Sequence, residues 1–156
     1  MTTADNDNPG VIAMPPLIFI IFLAIGILIN LLVPLSFIHG SARFISGIII
    51  LLVSGIIVLS AQRRMKRSGT NIDVRKPSTA VVTGGIYSYT RNPMYMSMVI
   101  LLIALAFLLN NLWVLIVIPF FMAVIRKGVI MREEAYLERK FGSEYTEYKK
   151  RVRRWI

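Results

Sequence analysis

The residues able to do chemistry in this sequence gather in two places. The first is Gly84-Gly85-Ile86-Tyr87-Ser88-Tyr89-Thr90-Arg91-Asn92-Pro93-Met94-Tyr95, and the second is Glu133-Glu134. In the first, the paired glycines free the backbone and let a ligand approach it, Gly85 above all. Arg91-Asn92-Pro93 has the form of a helix start, with Asn92 as the N-cap, Pro93 at the first helical position and apolar residues following. Such a helix aims its unpaired N–H groups back at the glycine loop, beside Arg91, Tyr87 and Tyr95, where a carboxylate or polar small molecule can sit. The same residues would also serve as a well-capped membrane helix with interfacial tyrosines. Adjacent glutamates on a helix point about 100° apart, so of Glu133 and Glu134 one can face inward while the other faces solvent. Alone, the pair is compatible with an ordinary charged helix extension.

The elements that would position these groups are apolar helices. The 156 residues are 56% hydrophobic, carry a formal net charge of +10 and include no cysteine. The apolar residues fall in uncharged blocks, which places the chain among membrane proteins. Four runs stand out: 17–33, 44–61, 94–109 and 112–125. The first has seventeen residues and the second eighteen, lengths of about 26 and 27 Å as helices, close to the hydrocarbon thickness. The last two are shorter and form a helical hairpin turning at Asn110-Asn111, with a kink expected at Pro119. Apolar Val129 to Met131 can lengthen the fourth run if Arg126 and Lys127 snorkel. The expected architecture is an all-α polytopic membrane bundle of about four transmembrane helices. Residues 1–16 read as a disordered cytoplasmic tail, 17–61 as two spans, and 62–156 as a functional core containing the hairpin 93–131. The charged C-terminal stretch breaks at Phe141-Gly142, and Ser143 starts a last amphipathic helix. Tyr145, Tyr148 and Val152 share one of its faces, which is expected on the membrane surface with Trp155 as anchor.

Charge sets the orientation. Of 18 Lys and Arg, only Arg43 lies by the 34–42 loop; the other 17 belong to the opposite side. The positive-inside rule makes that side the cytoplasm, with both termini on it. The basic charge then meets anionic lipid headgroups, and no nucleic-acid motif accompanies it. Without cysteine and with His39 alone in a short loop, no metal site is expected. Four spans also bring the two chemical clusters to one membrane face, where they would line a pocket between helices.

In the order Thr79-Ala80-Val81-Val82-Thr83-Gly84-Gly85-Ile86-Tyr87, Arg91-Asn92-Pro93-Met94-Tyr95, Glu133-Glu134-Ala135-Tyr136-Leu137 and Phe141-Gly142-Ser143-Glu144-Tyr145-Thr146-Glu147-Tyr148, the chain resembles the integral-membrane methyltransferases, over roughly residues 60–154. That superfamily includes isoprenylcysteine carboxyl methyltransferases and phospholipid methyltransferases. The resemblance implies S-adenosylmethionine held by Thr79, Ala80, Val81, Val82, Tyr87, Asn92, Pro93, Met94 and Tyr95, with Glu133 or Glu134 on its amino or ribose groups. It also implies a substrate-side arginine near the glutamates, for which Arg126 and Arg132 are the candidates. The family usually has His where this chain has Asn92, so a positioning role survives there and a proton-transfer role does not. Methyl transfer needs chiefly positioning and water exclusion. With no histidine at the site, Tyr87, Tyr95 or a glutamate would have to accept a proton from an amine or thiol acceptor. An isoprenylcysteine-type carboxylate entering from the bilayer needs no such base and is the expected acceptor, with a phospholipid amine or small thiol as alternatives. A non-enzymatic protein that recruits anionic lipid or a partner through its basic tail is the competing class.

Overall fold

The computed structural model describes residues 7–156, and among these every regular element is helical. Helix α1 is Pro15–Leu32 and α2 is Ala42–Arg67. After a long loop, a 3-10 turn at Gly85–Ser88 leads into α3, Pro93–Leu109. The chain then runs helically over Leu112–Phe141. This run comprises α4 (Leu112–Ile116), α5 (Ile118–Ile125), a π turn at Arg126–Ile130 and α6 (Met131–Phe141). Helix α7, Ser143–Arg151, follows Gly142, which takes positive φ.

Three of these helical stretches, α1, α2 and Leu112–Phe141, are long and apolar enough to cross a membrane, and α3 is a shorter apolar helix of 17 residues. At 1.5 Å per residue α3 spans about 26 Å, enough for a thin crossing. The outward faces of α1 and α2 carry Ile20, Leu28, Leu31, Ile45, Ile49, Leu52 and Ile56, all exposed. An apolar belt of this extent belongs in lipid. The inner core joins Ile18 of α1, Leu102 and Ala106 of α3, and Val114, Ile118, Phe121 and Ile125 of α4 and α5. Phe19 and Phe22 meet the Phe121 ring edge-on, with centroids 6.3 and 5.8 Å away.

Small residues set the closest approaches. Gly26 lies so near α4 that a Cβ there would stand 2.9 Å from Val114 Cγ2 and 3.0 Å from its Cα, and Gly47 abuts Leu108. The Ser54 hydroxyl donates to the Ser97 carbonyl at 2.9 Å, tying α2 to α3 without relying on a hydrophobic drive that lipid does not provide. At the far end the α1–α2 loop sits on the α3–α4 turn. Asn110, at φ 50, accepts from Phe37 and Ile38 N–H, and Asn111 caps α4 by accepting from Trp113 and Val114 N–H.

Several details depart from the sequence reading. Helix α2 continues past Ala61 to Arg67, because the basic residues there suit a helix C-terminus. The expected Pro119 kink takes the form of an interruption at Val117, where α4 gives way to α5, with Pro119 within the first turn of α5. The first six residues of the tail expected over 1–16 lie outside the described residues, but 7–14 form a strap along α6. Asp7 pairs with Lys140 at 2.6 Å and accepts from Tyr136, the Arg132 guanidinium donates to the Gly10 carbonyl, and Ile12 N–H donates to the Gly128 carbonyl. Asp7 makes its polar contacts, while Val11 and Ala13 pack against the core. The aromatic face of α7 turns onto the protein instead of the bilayer: Tyr145 and Tyr148 are buried, and Trp155 packs against the core. Tyr148 finds a buried hydroxyl partner there, the Tyr87 carbonyl at 2.7 Å.

Candidate functional site

The two polar clusters meet beside a cavity of about 570 Å³. Its polar end is formed by Tyr87, Arg91, Asn92, Pro93, Tyr95 and Glu133. Its apolar arm runs between α2 and α3, past Ser54, Val58, Met98 and Leu101, into the depth of the spanning helices. The strap contributes Met14, Pro15 and Pro16, and the long loop contributes Ile72 to Arg75. A smaller recess of about 80 Å³ adjoins the polar end, sharing Tyr87, Arg91, Asn92 and Glu133 and adding Ala80, Val81, Val82 and Glu134.

The Tyr95 hydroxyl donates to Glu133 Oε2 at 2.5 Å. Glu133 sits on α6 and lines both cavities, half-buried beside Glu134. Burial raises the phenols of Tyr87, Tyr145 and Tyr148, so these stay neutral at ordinary pH.

Glu134 is buried and faces away from solvent into a clamp. Arg154 holds it with two bonds, Nε to Oε1 at 3.0 Å and Nη2 to Oε2 at 2.6 Å. Arg91 Nη2 approaches Oε1 at 3.2 Å, with the Arg91 side chain 8% exposed. The Nε and Nη1 atoms of Arg91 are buried without a hydrogen-bond partner. Leaving such donors unpaired is costly, and an acceptor in the cavity would satisfy them. Asn92 occupies the N-cap position, yet its side chain makes no capping bond; its amide donates to the Arg154 carbonyl at 2.9 Å.

Most of the residues singled out in the sequence come together here: Ala80, Val81, Val82, Tyr87, Arg91, Asn92, Pro93, Met94, Tyr95, Glu133 and Glu134 all border one or both cavities. Four do not. Thr79 is exposed, and its hydroxyl turns back to the Gly69 carbonyl at 2.8 Å. Gly85 faces the Arg64 side chain on the opposite side of the loop. Arg132 is exposed and bound to Gly10, and Arg126 is exposed. Seven residues of regular α-helix would put Arg126 nearly above Glu133, but the intervening π turn adds a residue, about 100° of rotation, and swings it out. Met14 to Pro16, Asp73 to Arg75 and Arg154 escaped the sequence reading, because each reaches the site through tertiary packing with no local motif to mark it.

Residues 42–144 match the phospholipid methyltransferase family (PEMT), two-thirds of the chain. The chain therefore belongs to this family of integral-membrane methyltransferases, whose members use S-adenosylmethionine. A protein of Haemophilus influenzae, named only as uncharacterized, is 44% identical over 63 residues, which are 40% of this chain and the whole of that protein. No solved structure matches. The residues present fit the family's cofactor: the orphaned Arg91 donors suit its carboxylate, the Glu133 carboxylate suits its ammonium or ribose hydroxyls, and the main chain at Ala80 to Val82 borders the recess.

Proposed function

We propose that this protein transfers a methyl group from S-adenosylmethionine to a lipophilic acceptor drawn from the bilayer. The observation that carries the reading is the continuity of one cavity, from Arg91, Tyr95 and Glu133 at its polar end to Val58, Met98 and Leu101 between α2 and α3. The cofactor supplies a methyl group on a sulfonium, already activated for displacement. The protein's part is then to bind, orient and exclude water. Arg91 and Glu133 hold opposite charges of the cofactor, and Pro93 and Met94 wall it at the α3 start. Met14 of the strap and Pro15 and Pro16 at the α1 start form part of the cavity wall.

A phospholipid amine is the acceptor this reading favours, on the family match together with an apolar arm that admits acyl chains. The isoprenylcysteine-type carboxylate is the second reading, since such an acceptor needs no base to remove a proton. We further place both termini in the cytoplasm, with the exposed basic residues against anionic headgroups.

The test is methyl-labelled S-adenosylmethionine incubated with the detergent-purified protein and either phosphatidylethanolamine or a prenylated cysteine. Label appearing in the extracted lipid supports the amine acceptor, and label in the prenylated cysteine supports the second reading. With neither labelled and no binding of S-adenosylhomocysteine, the protein is a recruiting module instead of an enzyme.

A further inference from the structure

The family match ends at residue 144, yet the chain beyond it builds part of the site. After α7 the backbone returns to the α3 start. The Arg153 carbonyl accepts from Arg91 N–H at 3.0 Å, and the Arg154 carbonyl accepts from Thr90 Oγ1 at 3.1 Å and Asn92 Nδ2 at 2.9 Å. These bonds belong to the main chain of 153 and 154, so they survive substitution of the Arg154 side chain. That side chain does something separate: it engages both oxygens of Glu134.

Consider Glu134 without that grip. It stands next to Arg91, and a carboxylate facing a guanidinium prefers two parallel bonds. Freed from Arg154, Glu134 would turn its second oxygen to Arg91 and occupy donors that are now buried without a partner beside the cavity. We propose that Arg154 is a positioning residue: by holding both Glu134 oxygens it limits Glu134 to one Arg91 nitrogen and keeps Arg91 Nε and Nη1 open for the carboxylate of the cofactor. The inference rests on the methyltransferase reading.

The test compares two probes on the full-length protein in detergent: S-adenosylhomocysteine, which carries the amino-acid carboxylate, and methylthioadenosine, which lacks it. Arg154→Gln weakens S-adenosylhomocysteine about tenfold, the size of one charge-assisted contact, and leaves methylthioadenosine unchanged. Arg154→Lys, which keeps the charge should Gln unfold the protein but offers no fork for both Glu134 oxygens, restores only part of the affinity. In a Glu134→Gln background, Arg154→Gln adds little, because the competing carboxylate is gone. Equal loss of both probes, unchanged binding of S-adenosylhomocysteine, or losses that add in the double variant would overturn the positioning role while leaving the enzyme reading intact. A wild-type protein that binds neither probe overturns both.

Discussion

At the scale of single residues, Glu133 and Glu134 illustrate how one sequence doublet divides into two jobs. Glu133 accepts a hydrogen bond from Tyr95 at the cavity, and Glu134 sets its single charge between two arginines. Glu134→Gln leaves Arg91 buried without its counter-charge, a loss of roughly 3 kcal/mol visible as a lower melting temperature. That the doublet meets the Arg91 cluster was legible from topology, since four spans put both at one face. Which glutamate faces the cavity was not, because an angular offset of one residue cannot be oriented until the π turn upstream is known.

At the scale of elements, helix contacts depend on where side chains are absent. A Cβ on Gly26 would press on the backbone of Val114, which cannot yield as a side chain can. Gly26→Ala should therefore push α1 from α4 and cost about 1–3 kcal/mol, read from thermal unfolding in detergent. Gly55→Ala on α2 meets nothing within 4 Å and serves as the control that stays near the wild type. The existence of the apolar helices was plain in the sequence, because uncharged runs of membrane length admit few other structures. The π turn at Arg126–Ile130 was not, since nothing local distinguishes it from α-helix. Its cause is tertiary: Gly128 accepts the Ile12 N–H and leaves room for the Ile12 side chain. The same holds for α7, whose Tyr145 and Tyr148 stripe has the periodicity of a membrane-surface helix and equally that of one docked on the protein.

At the scale of the whole molecule, the chain is a bundle in which residues 7–16 and the C-terminal segment reach the same end, bound to α6 and to the start of α3. Because the natural sequence has no cysteine, His39→Cys and Lys150→Cys each give a single reporter. In intact cells an impermeant thiol reagent should label the first and spare the second; the reverse pattern would invert the proposed orientation. The fold class and the shared face of the functional clusters could be read from span count and charge asymmetry alone, whereas the cavity wall joins Met14 to Pro16 with residues far apart in sequence. The account stands most directly on the cofactor site. Calorimetric titration of S-adenosylhomocysteine into the wild type, Glu133→Ala and Arg132→Ala measures it: saturable binding that Glu133→Ala weakens at least tenfold and Arg132→Ala preserves is the predicted result, and absence of binding, or binding indifferent to Glu133, would contradict it.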